Sequence, residues 1–144
     1  MKQKIDRILK TEYEEVVRVW ESSVRATHHF LKEEDIEYFK PLILNTYLDA
    51  VELRCMRNDE NNILGFLGAA EQNLEMLFID PEHRGKRIGK SLLDHAMENL
   101  NVTKVDVNEQ AVGFYQHCGF EVIGRSELDS SGKPYPILHM ALKK

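Results

Sequence analysis

The sequence predicts a mixed α/β fold, a sheet with helices on both of its faces. Segments of strand and helix periodicity follow one another as strand, two helices, three strands, helix, strand, helix, two strands. The composition, 42% hydrophobic and 30% charged, is that of a globular chain rather than a disordered one. At 144 residues there is enough chain for a real core without disulfides or metal. No repeat, linker or low-complexity run interrupts it, so residues 1–144 are expected to form one domain.

Lys4 to Leu9 alternates enough for an edge strand. From Glu12 to His28 the apolar residues Val16, Val17, Trp20 and Val24 recur at helical spacing. A second helix is expected over Glu33 to Leu48, interrupted or restarted near Pro41. Glu52 to Arg57 and Ile63 to Ala70 read as two strands joined by Asn58-Asp59-Glu60-Asn61-Asn62, a hairpin signal. Leu74 to Ile79 is a third strand of large apolar residues, which Asp80-Pro81 ends. Ile88, Leu92, Leu93, Ala96, Met97 and Leu100 form the stripe of an amphipathic helix. Val102 to Val107 alternates as a strand, Ala111 to His117 is a short helix, and Gly119 ends it. Phe120 to Ser126 and Tyr135 to Leu142 make the last pair, joined by a turn from Asp129 to Pro134.

The charge balance excludes some functions. Acidic residues outnumber basic ones, 24 to 19, for a net charge of −5, which argues against non-specific nucleic-acid binding. The charged amino terminus lacks the apolar stretch of a signal peptide, and no window approaches a membrane span. Cys55 and Cys118 lie far apart and outside any CxxC context, so both are expected as reduced thiols of a cytoplasmic protein. His83, His95, His117 and His139 have no metal-ligand spacing with either cysteine, and no metal is expected.

The most informative segment runs from Phe78 to Ser91. A strand ends, a short loop carrying Arg84, Gly85, Lys86, Arg87, Gly89 and Lys90 follows, and a long helix begins. A helix start offers unpaired N–H groups and a partial positive charge, and glycine lets an anion approach the backbone. Solvated basic residues at a helix start are the plainer reading, yet cations there oppose the helix dipole. A nucleoside-triphosphate loop requires four residues between its glycines, whereas Gly85 and Gly89 enclose three. Arg84-x-x-Arg87-x-Gly89 instead resembles the R/Q-x-x-G-x-G/A signature of GNAT acetyltransferases, with Arg87 standing in place of the central glycine.

A second segment supports the same resemblance. Asn108-Glu109-Gln110-Ala111-Val112-Gly113-Phe114-Tyr115, continuing to Gly119-Phe120, is similar to the N-x-x-A-x-x-F-Y-x-x-x-G-F stretch of that superfamily. Small bacterial members also share the character of Ser23 to Leu31 and Gly132 to Leu138. The resemblance implies a mostly antiparallel sheet whose fourth and fifth strands, central and parallel, splay into a V that admits CoA. The pantetheine would pair with the backbone of Leu77, Phe78 and Ile79, and the pyrophosphate would lie on Arg84, Gly85, Lys86, Arg87, Ile88, Gly89 and Lys90. Asn108 would touch the pantetheine. The chain departs from its relatives in having fewer residues between Val105-Asp106-Val107 and Ala111.

By that resemblance the reaction is acetyl transfer from acetyl-CoA, a cosubstrate, to a primary amine of a protein or small molecule, in a monomer or homodimer. A lysine amine, with a solution pKa of about 10.4, costs roughly 4–5 kcal/mol to deprotonate at neutral pH. A base or an ordered water must take that proton, and the departing thiolate needs one. Tyr115 would lie near the CoA sulfur and is the candidate acid. Glu75, placed with Glu71 by alternation on one face with Leu77, and His28 and His29 at the end of the first helix are the candidates on the acceptor side. A CoA-binding or protein-interaction module of the same fold, without turnover, is the alternative.

Overall fold

Seven strands pair into one sheet: β1 (Lys4–Arg7), β2 (Glu52–Arg57), β3 (Ile63–Ala70), β4 (Asn73–Ile79), β5 (Lys104–Val107), β6 (Phe120–Ser126) and β7 (Ile137–Leu142). Among the described residues four α-helices join them: α1 (Tyr13–Thr27), α2 (Glu33–Leu42), α3 (Ile88–Asn99) and α4 (Val112–His117). This computed structural model describes residues 4–27, 31–85, 87–129 and 132–143. The spatial order is β1-β2-β3-β4-β5-β7-β6, and every neighbouring pair is antiparallel except β4 with β5.

Two apolar layers cover the two faces. Val16, Trp20 and Val24 of α1 and Ile36 of α2 pack on Leu53, Cys55, Ile63 and Phe66. Leu92, Leu93 and Ala96 of α3, with Tyr115 of α4, pack on Leu64, Leu67, Val105 and Met140. Helical spacing thus gives each helix one buried stripe, and strand alternation supplies both layers from one sheet. Arg57, only 8% exposed, ties β2 to the start of α1, with its guanidinium 2.6 and 2.8 Å from the two Glu12 oxygens. That ion pair holds the Glu12 carboxyl below its ordinary range against the opposing effect of burial.

The expected hairpin forms between β2 and β3. The Asn58 side chain accepts from the amides of Glu60 and Asn62, at 3.0 and 2.9 Å, so its one carbonyl oxygen organises the whole turn. Both cysteines are free, Cys55 within the α1 layer and Cys118 beyond α4.

The interruption expected near Pro41 falls just after it. α2 runs through it to Leu42, then widens into a π turn over Ile43–Tyr47 and tightens to a 3-10 turn over Leu48–Ala50. A proline removes one N–H and presses on the preceding turn. Here the irregularity is expressed just after it, where buried Ile43 and Leu48 hold the chain against the core. Two strands, β1 at the sheet edge and β5 within it, are shorter than their periodicity suggested. β1 stops at Arg7, and β5 begins at Lys104 because the Thr103 and Lys104 amides bond to the Gln72 carbonyl.

Candidate active site

The parallel contact between β4 and β5 lasts two residues, Asn73 opposite Lys104 and Leu74 opposite Val105. Beyond it the strands part, because each is held on its other edge. β4 stays registered with β3 up to Ile79, and β5 with β7 up to Val107. The opening is a cleft of about 130 Å³, bordered by Leu77 and Phe78 on one side and by Val107, Asn108 and Tyr115 on the other. Its β4 wall is kinked. Gly68 faces Met76 and Ala69 faces Leu74, so Glu75 is the extra residue of a β-bulge. The bulge resets the alternation, which is why Leu74 and Leu77 both join the α3 layer despite their odd spacing.

At the far end of β4 the chain turns into α3. Gly85 has φ +81° and Arg87, the residue preceding the helix, has φ 61°, so both lie in the left-handed region. Arg87 therefore takes up the backbone conformation that the glycine of the signature would adopt freely. The first intrahelical bond is donated by the Ser91 amide to the Arg87 carbonyl at 2.9 Å, leaving the amides before it without helical acceptors. Beside them lies a cavity of about 510 Å³ bordered by Ile79, Arg84, Gly85, Arg87, Ile88, Gly89 and Lys90, and also by His83, Phe114 and His117. Lys90 is partly committed, with its ammonium 3.2 Å from Asp94. Lys86 lies outside the described residues. Nothing in the sequence placed His83, His117 and Phe114 beside this loop, because helix and loop periodicity gives no sign that α4 packs beside the start of α3.

Tyr115 is 6% exposed and borders the cleft, its ring set edge-on to Phe114 and Phe120 at 5.0 and 5.8 Å between centroids. Burial raises its hydroxyl pKa well above the ordinary tyrosine value, so it stays protonated. Asn108 borders the cleft too, but its carbonyl oxygen accepts from the Ala111 amide at 3.0 Å. It caps the 3-10 turn Glu109–Ala111 that leads into α4, which accounts for the short connection from β5.

On the acceptor side Glu71 lies just before β4, so strand alternation does not group it with Leu77 as expected. It occupies the β3–β4 turn with φ 50°, followed by Gln72 at φ 76°. Glu75 stands at the cleft mouth, where burial first, then the charges of Asp106 and Glu71, raise its carboxyl pKa. Two larger hollows meet there, both bordered by Glu75. One, about 410 Å³, reaches Phe39, Tyr47 and Met76. The other, about 470 Å³, reaches Asp106, Ser126 and His139. His28 and His29 lie outside the described residues. Asp35, 5% exposed, ties α2 to the β6–β7 loop by accepting from the Tyr135 hydroxyl and pairing with Lys133 at 2.9 Å. Ser126, His139 and Asp106 carried no sequence signal, since they come from three strands and meet only through sheet pairing. Among the described residues no group of histidines, cysteines and carboxylates could hold a metal ion, and no helix is long and apolar enough to cross a membrane.

Comparison with known proteins gives this geometry a context. Residues 53–122 match the family described as acetyltransferase (GNAT) domain. The chain is 41% identical over 140 residues to the peptidyl-lysine N-acetyltransferase YjaB of Escherichia coli strain K12, covering 95% of each chain. It is 39% identical over 139 residues to the protein of that name from Salmonella typhimurium strain LT2, covering 94% of this chain and 95% of the relative. The solution structure of apo YjaB from Escherichia coli superposes with a TM-score of 0.89 at 40% identity, over 99% of this chain and 98% of that one. A PaiA N-acetyltransferase from Thermoplasma acidophilum, solved in complex with coenzyme A, shares the fold at a TM-score of 0.71 and 21% identity, over 99% of this chain and all of that one. The splayed sheet, the loop into α3 and this level of identity lead to one assignment: the chain belongs to the GNAT family of N-acetyltransferases.

Proposed function

We propose that this acyltransferase moves an acetyl group from acetyl-CoA to the ε-amine of a lysine in a peptide or protein. The observation that carries the reading is the V between β4 and β5, with Tyr115 on its wall and a hollow lined by Arg84, Arg87 and Lys90 beside the start of α3. The lysine acceptor is supported by the 41% identity to a peptidyl-lysine N-acetyltransferase over 95% of each chain. The carboxylates Glu75 and Asp106 at the cleft mouth are electrostatically suited to an incoming ammonium.

In this reading the pyrophosphate lies on the free amides at the start of α3, with Arg84 and Arg87 beside it, and the pantetheine extends along Leu77 to Ile79. The neutral amine attacks the thioester carbonyl, the C–N bond forms, and the C–S bond breaks. Tyr115 gives its proton to the leaving thiolate and is reprotonated from solvent.

The test is thiol release from acetyl-CoA with a panel of lysine peptides, α-amines and polyamines, comparing wild type with Tyr115→Phe. Lysine peptides should be the preferred acceptors. Tyr115→Phe should lose on the order of 10²-fold in kcat, with CoA affinity within a few-fold of wild type. Wild-type turnover by Tyr115→Phe, with chemistry rate-limiting, would remove the tyrosine from the mechanism.

A further inference from the structure

The sheet face opposite α3 carries a hydrogen-bonded row that the reading above does not use. Val105, Val107, Leu138, Met140 and Leu142 belong to the α3 layer, so alternation turns Asp106 and His139 to the other face. They sit directly opposite each other in the β5–β7 pairing. His139 Nδ1 lies 2.7 Å from Asp106 Oδ1, and His139 Nε2 lies 2.8 Å from the Ser126 hydroxyl. A carboxylate only accepts, so Nδ1 carries the hydrogen, Nε2 is left basic, and Ser126 donates to it. The layer under α1 and α2 draws only on β2, β3 and β4, which leaves this row open along the 470 Å³ hollow. Asp106 and Glu75 border both that hollow and the V, so the row starts where the V opens.

We propose that the acceptor amine enters through this hollow and that Ser126 and His139, oriented by Asp106, form the relay that removes its proton. This rests on the acetyl-transfer reading. The ammonium gives a proton to Ser126 Oγ as Ser126 passes its own to His139 Nε2, leaving a neutral amine and an imidazolium facing Asp106. The amine nitrogen then bonds to the thioester carbonyl carbon, sulfur leaves with the electron pair, and Tyr115 protonates it. The imidazolium, partly exposed, returns its proton to water. The charged groups bordering the hollow beside His139 are Asp106 on β5, Glu75 on β4 and Asp129 in the β6–β7 loop, all carboxylates.

The experiment measures kcat/KM on a lysine peptide with acetyl-CoA between pH 7 and 9.5 for wild type, His139→Gln, Ser126→Ala and Glu75→Gln. A CoA thermal shift is recorded for each protein. At pH 7 His139→Gln should lose on the order of 10²-fold or more. Its rate should then climb about tenfold per pH unit, as the peptide amine, with pKa about 10.4, arrives already neutral. Wild type should level off, and the CoA shift should be unchanged. Ser126→Ala should show the same pH-dependent loss in smaller degree, and it carries the test if His139→Gln fails to fold. A His139→Gln deficit that is constant with pH, or absent, overturns the relay. So does a pH-dependent loss in Glu75→Gln alone, which would place the base on β4 instead. Wild-type protein inert toward every amine refutes the acetyl-transfer reading itself, and the relay with it.

Discussion

Gly89 separates what the fold needs from what the ligand needs. It lies in the first turn of α3, and a Cβ placed there would meet Phe114 Cζ at 3.5 Å and Ile79 Cγ1 at 3.8 Å, ordinary contact distances. Its backbone is not in the left-handed region. Gly89→Ala should therefore stabilise the free protein by about 0.4–1 kcal/mol, through lost freedom of the unfolded chain. For a chain of this size that raises the thermal midpoint by roughly 1–4 °C. The added methyl faces the wall shared with Phe114, inside the hollow where the pyrophosphate would approach the amides. Loss of one hydrogen bond to a charged group, about 1.5–3 kcal/mol, weakens CoA at least about tenfold. At a CoA concentration near 100 times the wild-type Kd, the ligand contributes about 2.7 kcal/mol. Roughly half of that shift should vanish in the variant. Differential scanning fluorimetry with and without CoA reads both effects at once. A Gly89→Ala protein that is stabilised and keeps the full CoA shift would refute the close approach of phosphate to this turn.

Arg87→Gly relieves a left-handed non-glycine residue and should stabilise the fold by about 1 kcal/mol in urea melts. It should also weaken CoA a few-fold, with less salt dependence, in titrations at two ionic strengths. Arg57→Met leaves Glu12 without its ion pair and should cost about 3 kcal/mol at neutral pH. Because the folded Glu12 pKa is depressed, the contribution of the pair is full above the ordinary carboxylate range and disappears as pH falls through the folded value. The difference between wild type and variant in urea melts should accordingly shrink toward pH 3. Cys55 is fully buried and its thiol is pushed up to about 11, so native protein at pH 7.5 should leave it unmodified by iodoacetamide while urea-unfolded protein does not. Mass spectrometry of the digested protein decides.

The order and type of the elements were legible in the sequence because each rests on local periodicity. The stripe of α3, the apolar run of β3 and the Asn58 turn are all set by near neighbours in the chain. The turn from β4 into α3 was legible too, since Arg84 to Lys90 is contiguous and its glycines and the apolar stripe after it mark a helix start. Tertiary structure decided what depends on pairing. The Glu75 bulge arises from the register of β4 on β3, and no alternation rule places it. The V exists because β4 and β5 are each drawn to another partner after two shared residues. Asp106, Ser126 and His139 meet because β5, β7 and β6 lie side by side, in an order that sequence adjacency does not give. A single strand carries the pattern of its own two faces but no information about which residue will stand across from it.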